Sequence, residues 1–326
     1  MGSSEGLASV SETSYKGWHA LSVESERVKA VLVPGIGAKM VSLVYKPTGN
    51  EWLLDTQDSM LRRPEYGANF VDFNIGGFDD MCPTILPCEY PVDGQYKGAL
   101  LPDHGETWSI PWDWTIEDER ITLAVKGKAL PYELAKTLWF TAPEVLRSAY
   151  RIRNLGAERM AFLWAAHPLF VVTEDTEIRL PDEIKQVVGV IGGKRLGEAG
   201  TVYDWPVAKV QGEDTMRLDR IGPASNRDSR KLYSGDVVPS GWSGLYRRAS
   251  GEYLVYRVPK EKVPYLGIWI EEGEYTGRST CALEPSTGFY DSLEWAINNE
   301  KVGYVDPGQV YDWYFDTVLG EGQETI

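Results

Sequence analysis

The chain has three histidines, His19, His104 and His167, and the last of them closes an apolar run that reads as a strand. That run is Met160-Ala161-Phe162-Leu163-Trp164-Ala165-Ala166-His167, followed by Pro168. Side chains alternate across a strand, so Phe162, Trp164 and Ala166 share a face suited to a core. His167 falls on the opposite face beside the small Ala165, which leaves room for another group to approach the imidazole. A structural histidine at a strand end fits the same pattern. Glu284 has a matching setting in Ser279-Thr280-Cys281-Ala282-Leu283-Glu284-Pro285. Alternation sends Cys281 and Leu283 one way and Thr280, Ala282 and Glu284 the other. A carboxylate there, if buried, needs a partner or a task. Pro285 has no N–H to give a ladder, which predicts that the strand stops there. An imidazole and a carboxylate are a pair able to move protons near neutral pH.

Two more stretches carry candidate chemistry. Leu101-Pro102-Asp103-His104-Gly105-Glu106-Thr107-Trp108, continued by Pro111-Trp112-Asp113-Trp114, sets one imidazole among carboxylates and indoles. Indole offers a flat apolar face and one N–H donor, which suits the C–H faces and hydroxyls of sugars. This region therefore predicts a sugar-contacting rim that includes Trp108. His104 lacks a second histidine at helical or hairpin spacing, and no cysteine has zinc-ligand spacing, so no metal site is predicted. Gly76-Gly77-Phe78-Asp79-Asp80-Met81 places paired carboxylates in a glycine-rich bend, with Arg62 and Arg63 upstream. Asp79 and Asp80 are candidates to bind hydroxyls or a cation, or to cap a turn.

The elements that must hold these groups are short strands. Val28–Val33 and Met40–Tyr45 flank the turn Pro34-Gly35-Ile36-Gly37. Further runs near 106–114, 120–127, 133–141, 146–154, 160–167, 186–191, 252–258, 264–271, 279–284 and 308–318 are rich in β-branched and aromatic residues. Turn residues bound many of them. This spacing predicts an all-β sandwich or barrel, with one short helix over 290–298. The stretch 192–240, rich in Gly, Asp, Ser and Arg, reads as long loops. Residues 1–15 read as a flexible leader and 16–326 as a single domain, with no internal repeat.

Composition narrows the partners. The 326 residues carry a formal charge of −15, which argues against nucleic acid or an anionic membrane surface. No stretch reaches the roughly 18 apolar residues of a membrane span, and none reads as a signal peptide. Cys82, Cys88 and Cys281 are an odd set without export features, which predicts reduced thiols and a cytoplasmic protein. Twelve Trp and eighteen Tyr exceed what packing normally demands, although a wide sandwich core would absorb most of them.

The ordered series of landmarks resembles the galactose mutarotase (aldose 1-epimerase) superfamily. Pro34-Gly35-Ile36-Gly37-Ala38, Thr48-Gly49-Asn50-Glu51-Trp52, Asp103-His104-Gly105, Arg153-Asn154-Leu155-Gly156, His167-Pro168-Leu169-Phe170, Leu283-Glu284-Pro285 and Asp306-Pro307-Gly308-Gln309 carry it along nearly the whole chain. The resemblance implies a large antiparallel β-sandwich of the mutarotase type, a supersandwich. It implies His167 as general acid, Glu284 as general base and His104 as an assistant at the sugar. The substrate would be a neutral small-molecule sugar and no cofactor would be needed, in a monomer or homodimer. The family's early arginine and Asn-Arg pair are missing, and Asp79, Asp80 and Arg62 stand nearest to that role. The chain therefore resembles a divergent branch. A carbohydrate lyase on the same scaffold and a non-catalytic sugar-binding protein are the alternatives.

Overall fold

A period-two pattern builds nearly all of the computed structural model, which describes residues 7–210 and 213–322. Two large antiparallel sheets face each other. The larger has thirteen strands, and its main path runs Ser9–Tyr15, Trp18–Glu24, Val28–Val33, Lys39–Tyr45, Phe78–Met81, Ala165–Pro168, Ser279–Ser286, Tyr265–Glu272, Asp228–Tyr233, Gln186–Ile191 and Val202–Asp204. The smaller has eight, in the order Thr176–Arg179, Trp242–Arg247, Glu252–Arg257, Val310–Glu321, Val145–Asn154, Tyr132–Ala142, Arg120–Lys126 and Asp113–Glu117. Its long strands alternate buried and half-exposed residues, as a sheet with one wet face does.

The core lies between the sheets. Tyr150 and Trp313 stack with centroids 5.2 Å apart, and Trp164 packs against both Trp313 and Phe315. Aliphatic residues such as Leu232, Ile268 and Leu283 fill the rest at 0% exposure. Each such side chain contributes about 1.5–3 kcal/mol on removal from water. Much of the tryptophan excess is therefore core material. Trp52, Trp108, Trp112, Trp164 and Trp313 are all buried.

Several boundaries differ from the sequence reading. Residues 1–6 lie outside the described residues, but Ser9–Tyr15 is a strand paired with Trp18–Glu24 from Ser9↔Glu24 to Tyr15↔Trp18. The leader is thus structured over half its length. Its mostly polar, exposed side chains suit a sheet edge, which is why they read as a tail. The stretch 192–240 contributes an interior strand, Asp228–Tyr233, together with three shorter strands. The predicted strand over 106–114 begins only at Asp113, because the preceding residues form tight turns. The run 160–167 divides at Leu163-Trp164 and pairs with different partners on either side. Pro285 does not end its strand, which continues to Ser286 opposite Tyr265. The short helix is Leu293–Asn298, capped where the Ser292 hydroxyl accepts from the Trp295 N–H.

Candidate active site

Sheet register builds the site. His167 is paired with Asp79, and Glu284 with Gly267. Ala165 faces Ser286, and Phe170 faces Cys281 with the same offset, so that offset sets His167 opposite Glu284. Gly267 is paired in turn with Tyr233. Asp79, His167, Glu284, Gly267 and Tyr233 therefore form one row across the large sheet, with side chains on one face. That face is turned away from the smaller sheet. Gly267 leaves the row its gap, since a Cβ there would crowd Lys231 Cε and Tyr233 Cζ at 3.2 Å and Glu284 Oε2 at 3.3 Å.

Above the row opens a cleft of about 180 Å³, room for about six water-sized groups. His104, His167, Lys231, Glu271, Glu284 and Asp291 supply its polar lining, and Phe70, Leu169 and Trp269 are among its apolar walls. His104 reaches it from a turn in which His104 and Gly105 both have positive φ, 57° and 71°. A Cβ on Gly105 would fall 2.3 Å from the Cys82 carbonyl oxygen, so only glycine allows this approach. Phe70 stacks on His104 at 4.1 Å, and the His104 and His167 rings meet edge to face at 5.1 Å. Asp103 Oδ1 lies 2.9 Å from His104 Nδ1 and orients that ring. Burial raises the Asp103 carboxyl, but the hydrogen bond and charge of His104 and the N–H groups of Phe70 and His104 together hold it below the usual value.

The electrostatics are organised around Lys231. Its ammonium donates to Glu284 Oε2 and stands 3.6 Å from Asp291 Oδ1, which also accepts from the Tyr233 hydroxyl at 2.7 Å. Burial alone would lower the Lys231 pKa, but Asp291 and Glu284 together hold it above the ordinary value. Glu284 is pushed up by burial, against the pull of Lys231. His167 is pushed well down, first by burial and then by the positive charges of His104, Lys231 and Lys39. One atom on each partner, Glu284 Oε1 and His167 Nδ1, is buried without a hydrogen-bond partner among the described residues. Buried polar atoms are normally satisfied, so both are exceptions that stand beside the cleft their residues line.

The structure separates the sequence candidates. His104, His167 and Glu284 meet at the cleft. Asp79 and Asp80 cannot act together, because consecutive strand residues point to opposite faces. Asp79 stays in the row beside His167, where its partner is Lys39, but it does not line the cleft. Asp80 points into the core between Lys136 Nζ at 2.7 Å and Trp164 Nε1 at 3.0 Å, out of reach of any cleft ligand. Asp80→Asn should therefore cost stability, about 3 kcal/mol for stranding a buried ammonium, and leave ligand affinity unchanged. Denaturant titration and calorimetry check the two halves.

Trp108 and Arg62 are also displaced from the predicted roles. Trp108 lies behind Phe70, with its ring edge on Phe70 at 5.1 Å and its N–H donating to the Asp103 carbonyl. Arg62 packs over Phe73 at 4.8 Å and donates to the Asp72 carbonyl, outside the cleft. Glu106 accepts from Tyr66 and from the N–H groups of Lys128 and Ala129, so it closes a turn. The tryptophan-rich rim faces inward because these turns fold back on the sheet.

No family model and no curated protein matches the sequence. Solved structures do match the fold. The Slr1438 protein from Synechocystis sp. PCC 6803 superposes with a TM-score of 0.67 at 18% identity, over 95% of this chain and 99% of that one. A galactose mutarotase-like protein from Lactobacillus casei superposes at 0.62 and 17% identity, over 92% of this chain and 100% of its own. The fold is that of the galactose mutarotase-like proteins. A galactose mutarotase related enzyme from Lactobacillus acidophilus adds a third case, with a TM-score of 0.62, 16% identity, and 93% and 97% coverage. At such identities the mutarotase-like fold is shared while individual residues diverge. No helix among the described residues is long and apolar enough to cross a membrane. No group of three or more metal-ligating side chains occurs among them.

Lys231, Asp291, Trp269 and Glu271 are the cleft residues that sequence reasoning missed. Lys231 lies in the strand Asp228–Tyr233, whose charged composition is that of a loop. Trp269 and Glu271 sit at positions 2 and 4 beyond Gly267 in a strand that alternation already outlined. Alternation puts both on one face of that strand, but only the pairing with Ser279–Ser286 places that face beside Glu284.

Proposed function

We propose that the cleft is the active site of an aldose 1-epimerase-type isomerase acting on a neutral sugar. The observation that carries this is the His167–Glu284 juxtaposition: two titratable groups opposite each other on adjacent strands, both lining one cleft. Glu284 takes the proton of the C1 hydroxyl, and His167 gives one to the ring oxygen. The ring opens, the C1–C2 bond rotates, and the aldehyde recloses on its other face with the protons returned. His104, held by Asp103, supports the sugar at the His167 end. The three carboxylates of the cleft, Glu271, Glu284 and Asp291, against one ammonium, disfavour anionic sugars. Exchange spectroscopy by NMR over a panel of aldoses tests the reading. Accelerated α/β interconversion of at least one of them is expected, and no acceleration of any would refute it.

The pKa shifts fix the sign of the pH dependence. The reactive state needs Glu284 without its proton and His167 with one. Burial raises the first group and lowers the second, so the window between them narrows and its alkaline limb moves down. The profile of kcat/KM should be bell-shaped with its maximum below about pH 6.5, the ordinary histidine value. His104→Phe should move the alkaline limb upward, because it removes a positive charge that depresses His167. A parent enzyme with an alkaline limb above about pH 8 would contradict the assignment.

A further inference from the structure

The cleft extends beyond the acid–base pair. Along the strand Tyr265–Glu272, Gly267 faces Glu284, Trp269 faces Ala282 and Glu271 faces Thr280. Four residues of extended strand span roughly 13 Å, more than the width of one pyranose ring. The near end of this row holds Glu284 and His167. The far end is built differently. Trp269 and Tyr275 form a tilted ring pair with centroids 5.9 Å apart, over an apolar floor of Leu54, Leu169, Ala282, Ile75 and Val171. Glu271 closes that end at 2% exposure. Its Oε1 accepts from the N–H groups of Tyr275 and Thr276 and from the Thr276 hydroxyl, at 2.9, 2.6 and 2.9 Å. The same carboxylate thus pins the hairpin that carries Tyr275. The Glu271 carboxylate also belongs to the cleft wall.

We infer that Trp269, Tyr275 and Glu271 form a second sugar subsite, so that the preferred substrate is a reducing disaccharide or longer oligosaccharide. The reducing unit sits at Glu284 and His167, and the next unit stacks its C–H face on Trp269 and donates a hydroxyl to Glu271 Oε2. An indole face and a fixed carboxylate acceptor are the two contacts a neutral sugar ring uses best. A floor of aliphatic side chains between the two ends supplies no polar group for a free monosaccharide to use. This inference rests on the proposed isomerase reading for its catalytic consequence, but the binding half stands separately.

Exchange rates for maltose, cellobiose and lactose are compared with those for glucose, their common reducing unit. The parent should favour at least one disaccharide by about tenfold in kcat/KM, the value of one good ring contact. Trp269→Ala should bring that ratio to about one, and Trp269→Phe should restore part of it. Equal rates for glucose and all three disaccharides, or a ratio that survives Trp269→Ala, would overturn the inference. Calorimetry separates this from failure of the isomerase reading. Methyl β-cellobioside and methyl β-glucoside cannot mutarotate, so their affinities report binding alone. About tenfold tighter binding of the cellobioside, lost in Trp269→Ala, supports the subsite even in a protein that turns over no sugar. Equal affinities would overturn it.

Discussion

Glu284→Gln is expected to slow anomer exchange by about 10²–10⁴-fold while leaving a folded protein that still binds sugar. The amide has nearly the carboxylate's shape, and its oxygen can still accept from the Lys231 ammonium. Asp291 remains 3.6 Å from that ammonium, so Lys231 keeps a negative neighbour. What is lost is the capacity of Oε1 to take a proton from the C1 hydroxyl. His167→Ala should cost a similar factor, by removing the donor at the ring oxygen. Because the two groups act in one step, the double variant should be little slower than the worse single one. Thermal unfolding and calorimetry on the same samples show whether a lost rate reflects lost chemistry. A Glu284→Gln protein within tenfold of the parent rate would remove Glu284 from the mechanism.

The faces on which His167 and Glu284 lie were legible because alternation is a local property, although the end of the Glu284 strand was not. Each residue lies beside an alanine on its own strand, and the structure keeps both on the same face. The partners of these residues were not legible, because register across strands distant in sequence decides them. Lys231 is 53 residues from Glu284, in a strand whose residues are all buried. Such a strand shows no apolar–polar alternation, since its charges are satisfied in place. Arg230 pairs with Glu272 on one face, and Lys231 with Glu284 on the other. The sequence Asp228-Ser229-Arg230-Lys231 therefore has the composition of a solvated loop. Asp79 and Asp80 misled in the opposite way. They are adjacent in sequence and look like a chelating pair, yet a strand sends them to opposite faces, and only the strand assignment would have revealed it. Trp108 and Trp112 failed for a third reason, because turn geometry can point an indole inward whatever the polarity of its neighbours.

The placement of Lys231 between two buried carboxylates leads to the second large effect. Lys231→Met would leave Glu284 and Asp291 facing each other in the interior without a cation. Breaking a buried pair in this way costs about 3–5 kcal/mol, and two stranded carboxylates belong at the upper end. The chain's response is to protonate one of them. Lys231 lowers the Glu284 pKa and Asp291 raises it, so removing the lysine moves Glu284 further above its ordinary 4.5. A carboxyl whose pKa is higher folded than unfolded binds more protons in the native state, so stability falls as pH rises from about 4.5 through the folded value. The variant should therefore be less destabilised at pH 5 than at pH 8, as denaturant titration at the two values would show. The same shift removes the base from catalysis. Exchange at neutral pH should fall, and the acid limb of the pH profile should move upward, reporting the raised carboxyl directly. A purely structural role for Lys231 would lower stability without moving that limb. Lys231→Arg, which restores the charge in a larger group, should return the limb toward its parent position even where packing against Gly267 limits recovery of stability. An acid limb identical in parent, Met and Arg variants would show that Lys231 holds the sheet together without tuning the base.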